Sequence, residues 1–412
     1  MATRRITIET VQIGMHVVKL DLPWYRSPFL RHSFLIRTDK QIEKLRRAGV
    51  KVLDIDPSRG LDVAPPSPAE QLELVPMPLP PPMPKKGSAG AVRSLATLTE
   101  ELETARAARV QLERSVRSTF SRIAETGVVD PEEAKRATLD ISAVAQTLET
   151  HALFMAFSQG RESDPSLSQH AVATCSFALI LGRAADLDLL IMQELATGAL
   201  LHDLGLLQVP KRILTRINDT SITVGEPERR AYESHPRAGA ITLERQGQFP
   251  PAVEQILAEH HAYLDGSGFP SETRGSFTSE LTRIVMITDR YDELLTGFGG
   301  ASPLTPHQAL QRLFQEGQDG KLDHRLVSLF IKVMGIYPVY TVVELTTKER
   351  AVVTVINSRK LHQPIVTITH DPKGEPYIVP LVIDLGNQDE HAPSRSIRTI
   401  LDSIPHAFAR NH

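Results

Sequence analysis

Between residues 6 and 56 short apolar runs alternate with turns. Residues 15–20, 33–36 and 50–55 read as strands and 39–48 as a helix, so a small α+β module is expected. The pattern then stops, because Pro65, Pro66, Pro78, Pro80, Pro81, Pro82 and Pro84 stand among few apolar residues, as in a semi-rigid polyproline-like spacer. From Leu95 onward, Leu98, Leu102, Ala105, Leu112, Val116 and Ile123 recur at spacings of three and four, which predicts one long helix. Burying that stripe needs a partner surface, either a second copy, giving a homodimer through residues 91–126, or the rest of the same chain. Asp130-Pro131 marks another helix start. Ile191, Leu195, Gly198 and Ala199 form a face that leads to His202, residues 251–261 end in His260-His261, and Leu281, Ile284, Val285 and Thr288 lead into Asp289 and Asp292. After a helix at 324–335 the period changes to two at 340–345, 351–356, 364–368 and 378–383, predicting a small antiparallel sheet. The tail, 387–412, is expected to hold little order beyond a short helix near 397–404.

These elements predict a mainly α protein with a small N-terminal α+β module and a small C-terminal antiparallel sheet. The expected divisions are 1–62 for the module, 63–90 for the spacer, 91–160 for long helices, 161–336 for the helical catalytic region, 337–386 for the sheet and 387–412 for the tail. A chain of 412 residues has room for two or three such domains. A net charge of -3 offers no basic field for a nucleic-acid polymer. Cys175 is the single cysteine, so no internal disulfide can form. No window of 18 apolar residues and no signal-like start occur, so a cytoplasmic protein without membrane contact is expected.

Candidate chemistry gathers between residues 199 and 295, where His202, Asp203, His235, His260, His261 and Asp289 fall on or beside inward helix faces. An inward carboxylate costs several kcal/mol unless a cation or strong donors meet it. Imidazoles and carboxylates without a thiolate suit manganese, iron or zinc.

Taken together, Ser168-Gln-His-Ala-Val172, Leu201-His-Asp-Leu-Gly205 with Val209-Pro210 and Ile213-Leu214, His235-Pro-Arg-Ala-Gly239, His260-His261, Asp265-Gly-Ser-Gly-Phe-Pro270 and Thr288-Asp-Arg-Tyr-Asp-Glu-Leu294 resemble the HD-GYP family of cyclic-di-GMP phosphodiesterases, a branch of the HD phosphohydrolases. Upstream, Gly14-Met15, Leu20-Asp21, Pro23-Trp24, Pro28-Phe29 and residues 54–60 look like an uncharacterised domain often found before HD-GYP domains.

The resemblance implies an HD-type helical bundle in which His170, His202, Asp203, His235, His260, His261 and Asp289 hold two divalent ions, iron or manganese foremost and zinc a further candidate. Asp203 would bridge them and, with His202, form the catalytic pair. Some relatives carry a glutamate that recruits a third metal where this chain has Ser166, so two ions are expected. The implied reaction opens cyclic-di-GMP to linear pGpG, and onward to GMP, with a GGDEF-domain protein as a candidate partner. Gly266, Gly268, Phe269 and Pro270 would shape the substrate loop, the glycines by adopting positive φ.

The chain departs from the family on the substrate side. Leu206 stands where a lysine is usual, Phe269 replaces the tyrosine of the signature, Ala262 replaces a glutamate, and residues 295–303 lack the usual basic segment. Lys211, Arg212, Arg237 and Arg290 are the nearby cations that would have to compensate. Two readings follow: a phosphodiesterase, or a metal-holding module that binds cyclic-di-GMP or a protein with little turnover. A third is an HD phosphohydrolase for another nucleotide.

Overall fold

The computed structural model describes residues 3–20, 34–47, 50–61, 94–158, 166–219, 221–270, 278–300, 302–388 and 393–401. The proline-rich spacer and the Pro23-Trp24 and Pro28-Phe29 positions lie outside the described residues. The chain divides into two compact units, Met1–Met83 and Pro84–His412.

The first unit contains β1 (Arg4–Thr7), β2 (His16–Leu20), β3 (Phe34–Leu35), α1 (Asp39–Arg47) and β4 (Val52–Ile55). The strands form one antiparallel sheet in the order β1-β4-β2-β3. Met15, Val17, Leu53 and Ile55 meet Ile42 and Leu45 of α1 in a small closed core. The expected α+β pattern is present, with β1 as an additional edge strand.

The second unit opens with α2 (Leu95–Thr126), capped by Ser94 and ended by Gly127 at φ 68°. It continues through α3 (Pro131–Thr147), α4 (Thr150–Ser158), α5 (Leu167–Ala184) and α6 (Leu189–Leu201). A 3-10 turn at Leu204–Gln208 leads to α7 (Lys211–Asn218), α8 (Glu226–Glu233), α9 (His235–Glu244) and α10 (Pro251–Glu259). Then follow α11 (Glu280–Thr296), a 3-10 turn at Phe298–Gly300, α12 (Pro306–Gln318) and α13 (His324–Met334). Among the described residues no helix is long and apolar enough to cross a membrane.

Helix α5 is buried on every side, as a helix apolar all round must be, and α2, α3, α6, α11 and α13 pack against it. Phe154, Phe177, Tyr291 and Phe330 interlock at its centre, with ring centroids 5.2–6.4 Å apart. Leu98, Leu102, Ala105, Leu112, Val116, Phe120 and Ile123 of α2 are buried in this same core. The stripe that would also suit a homodimer is thus covered by α3, α4 and α5 of its own chain, and burying it requires no second copy.

The second sheet contains β5 (Val342–Leu345), β6 (Arg350–Val355), β7 (Ile365–His370), β8 (Pro376–Asp384) and β9 (Ile397–Ile400), in the antiparallel order β8-β7-β6-β5-β9. Residues 397–400 are a strand paired with β5, Val343 opposite Ile400 and Glu344 opposite Thr399, and not the start of a helix. A bidentate pair from Arg395 to Glu349, at 2.7 and 3.1 Å, fastens the approach to this strand. Residues 402–404 lie outside the described residues.

Candidate metal centre

Each side chain of the site arrives by a local rule. Ser166 caps α5 and forms a capping box with Gln169, which fixes the first turn and aims His170 inward. His202 closes α6, and Asp203 follows it into the 3-10 turn. Gly205 then lets that turn touch α9, because a Cβ there would lie 2.0 Å from the His235 carbonyl oxygen and 2.8 Å from the Gly239 nitrogen. That backbone contact delivers His235 to Asp203. His260 caps the end of α10, and Asp289 lies midway along α11.

All seven expected ligands converge, each at most 3% exposed. His170 Nε2 lies 3.4 Å from Asp203 Oδ2 and 3.1 Å from Asp289 Oδ1, and His202 Nε2 lies 3.4 and 3.7 Å from the same two oxygens. On the other side, Asp203 Oδ1 is 2.9 Å from His235 Nε2 and 3.5 Å from His260 Nε2. The two oxygens of Asp203 therefore face different histidine pairs. His261 completes the second group, with its Nδ1 3.7 Å from Asp289 Oδ2.

Hydrogen bonding sets the tautomers. His202, His235 and His260 donate Nδ1–H to the carbonyls of Ala199, Tyr232 and Leu257 at 2.8, 2.8 and 2.9 Å, and His170 Nδ1 donates to Asp292 Oδ2 at 2.8 Å. A carbonyl or carboxylate oxygen only accepts here, so each neutral ring turns an Nε2 lone pair toward the centre. Those lone pairs meet at 3.1 Å between His170 and His202 and at 3.2 Å between His235 and His260. Lone pairs facing at that distance repel unless a proton or a cation lies between them. Asp203 Oδ1, buried without a hydrogen-bond donor, makes the same demand. The donor set fits two divalent ions, one among His170, His202 and Asp203, with Asp289 Oδ1 3.1 and 3.7 Å from the same two rings, and one among Asp203, His235, His260 and His261.

Burial and the neighbouring charges pull the protonation of these groups in different directions. Burial opposes charge on His170, but hydrogen bonds to Asp289 and Asp292 and the nearby Asp203 raise it to about 9. His202 is held well above its usual value against burial by Asp203 and Asp289. Burial would raise the Asp203 carboxyl, yet His202 and His235 hold it well below the carboxylate range. Burial lowers His260, and burial with the neighbouring His260 lowers His261 further.

A pH dependence follows. The stabilisation that charged His170 gives the metal-free fold is complete below about 6.5 and is lost as pH rises through about 9. An arriving ion must displace that proton, so apparent Mn2+ affinity should rise between pH 7 and 9, roughly tenfold per unit for each proton displaced. Titration of metal-stripped protein at several pH values measures it, and a flat affinity across this window would contradict the ligand set.

Around the centre the surroundings are aromatic and apolar. Phe298 stacks on His170 at 4.2 Å and Phe269 lies on His261 at 4.4 Å. Leu206 is buried with Val209, Ile213, Tyr232 and Phe298, so an apolar cluster occupies the place of the family's lysine. Gly266 and Gly268 do adopt positive φ, 82° and 87°, and a Cβ on Gly268 would lie 2.0 Å from the His261 carbonyl oxygen. Pro270 follows Phe269 on the same half-buried loop. Lys211, Arg212 and Arg237 are exposed on α7 and α9. Arg290 is committed elsewhere, giving Nε and Nη2 to Glu316 at 3.1 and 3.0 Å and Nη1 to Glu293 at 3.0 Å. Sequence reasoning gave no role to Asp292, Glu293 or Phe298. Asp292 and Glu293 were visible as acids on the Asp289 helix, whereas Phe298 carried no signal, since its contact with His170 exists only in the folded chain.

Residues 161–326 match the HD domain family, and residues 3–134 match a domain of unknown function, DUF3391. The chain is 27% identical over 384 residues to the cyclic di-GMP phosphodiesterase PA4108 of Pseudomonas aeruginosa, covering 93% of this chain and 89% of that protein. It is 31% identical over 137 residues to the cyclic di-GMP phosphodiesterase response regulator RpfG of Xanthomonas campestris pv. campestris, covering 33% of this chain and 35% of that one. A third relative, 3'3'-cGAMP-specific phosphodiesterase 3 of Vibrio cholerae, is 34% identical over 100 residues, 24% of this chain and 21% of its own. The buried histidine and aspartate cluster lies within the stretch that matches the HD domain family, downstream of the stretch that matches DUF3391, in a chain similar over most of its length to a cyclic di-GMP phosphodiesterase.

Proposed function

We propose that this protein hydrolyses cyclic-di-GMP to linear pGpG, and onward to GMP, with two divalent ions held by His170, His202, Asp203, His235, His260, His261 and Asp289. The observation that carries the reading is the carboxylate of Asp203, whose two oxygens face two separate histidine pairs and whose Oδ1 lacks a donor. Bound there, such ions supply Lewis acidity that activates water and offsets phosphoryl charge. Iron and manganese suit the donor set best, and zinc is accommodated by it.

The chain's own residues prepare this chemistry. Asp292 holds His170 by Nδ1, and the carbonyls of Ala199, Tyr232 and Leu257 hold the other rings, so ligand orientation is set before any substrate arrives. Phe269 and Phe298 exclude water from two sides of the cluster. Gly266, Gly268 and Pro270 shape the loop that carries Phe269 toward substrate. Lys211, Arg212 and Arg237, free of the buried network that holds Arg290, are the cations for a phosphate arriving from solvent.

A second reading has its own observation. Leu206 is sealed in an apolar cluster and Arg290 is spent on two glutamates, so no buried cation among the described residues is seen to stand in for the family's lysine. A binder with slow turnover would have such a site. Full-length protein loaded in turn with manganese, iron and zinc, incubated with cyclic-di-GMP or 3'3'-cGAMP and resolved by chromatography, separates the readings. The expected result is pGpG from cyclic-di-GMP; recovery of intact, protein-bound dinucleotide with every metal would establish the binder instead.

A further inference from the structure

Glu293 lies one helical turn beyond Asp289 on α11, is buried, and has no part in the chemistry above. With His261 and Asp289 it forms another group whose donor atoms lie within 4.8 Å of one another. We propose that His261, Asp289 and Glu293 form a third divalent-cation position beside the two already described, an assignment that rests on the two-ion reading.

The geometry supports it in three ways. His261 Nδ1 and Asp289 Oδ2 are 3.7 Å apart, too far for a hydrogen bond but within the span of two donors each about 2.1 Å from one ion. The oxygens of Asp289 diverge as those of Asp203 do, Oδ1 toward His170 and His202 and Oδ2 toward His261. Arg290 touches Glu293 through Oε2, leaving Oε1 outside that contact, and its charge is already matched by two bonds to Glu316. The other cations in this region, Arg312 and Lys321, also pair with Glu316, at 3.0 and 3.7 Å.

One consequence reaches the second ion. His261 belongs to both groups, but the lone pair of a neutral ring serves one ion at a time. When the third position is filled, the second ion keeps Asp203, His235 and His260, the three-ligand count of an open metal site.

The test is metal counting on the full chain, saturated with Mn2+ under anaerobic conditions, desalted, and measured by elemental analysis for wild-type and Glu293→Gln protein. Glutamine keeps an oxygen acceptor for Arg290. The expected result is three ions per chain in wild-type and two in the variant. Two ions in both, or three in both, overturns the third position and leaves the two-ion reading standing. Fewer than two in wild-type removes both. Because the wild-type count alone can refute the proposal, it stays testable even if the variant does not fold.

Discussion

Asp203→Asn protein is expected to turn over cyclic-di-GMP at least about a thousandfold more slowly than wild-type and to retain at most one metal ion per chain. Asp203 is the residue common to both halves of the cluster, and the amide replaces one of its anionic oxygens with a donor aimed at imidazole lone pairs. Lewis-acid stabilisation of the transition state is worth several kcal/mol, and at about 1.4 kcal/mol per decade that is a factor of roughly a thousand. Steady-state product formation and elemental analysis of the same preparation give the two readouts. Unchanged turnover would sink the two-metal mechanism, whatever the metal content.

Gly205→Ala is expected to produce the second large effect, although glycine takes no part in chemistry. The added methyl would lie 2.0 Å from the His235 carbonyl oxygen, a backbone atom that cannot rotate away. Either the 3-10 turn carrying Asp203 or the start of α9 must shift, and both carry ligands. Overpacking typically costs about 1–3 kcal/mol, and an immobile backbone neighbour places this site at the upper end. Denaturant unfolding of the metal-free variant should show that loss, with Mn2+ affinity falling by tenfold or more. A variant with wild-type stability and affinity would show that the turn and α9 do not depend on this contact.

Much of the site is legible in the chain because metal ligands are constrained both in residue type and in position on helices. His202-Asp203, His260-His261 and Asp289 each end or interrupt an apolar face, which marks them as inward-pointing. Asp292 is less legible, since its role depends on His170, 122 residues away, being turned so that Nδ1 meets it. The stripe on α2 reads equally well as a dimer seam or an internal face, for periodicity says that a face is buried and not by what. Ile397-Arg-Thr-Ile400 misleads for a related reason: two isoleucines three apart suit a helix turn, and only the open edge of β5, more than fifty residues earlier, makes a strand of them. The apolar cluster around Leu206 was visible as a missing lysine, but what fills the gap required the positions of Tyr232 and Phe298.

Helix α2 also decides where this protein can be cut. The HD family match begins at residue 161, yet the helices it covers are completed by α2, whose Arg109 donates to the Ala156 carbonyl at 2.7 Å and whose Glu113 accepts from Gln169, the residue beside His170. A fragment started at the family boundary would present a long greasy scar where Leu112, Val116, Phe120 and Ile123 had been, and would leave the first turn of α5 short of its buttress. A piece that keeps the contacts of α2 with this metal cradle must therefore include Ser94 and the helix it caps, well inside the stretch that matches DUF3391.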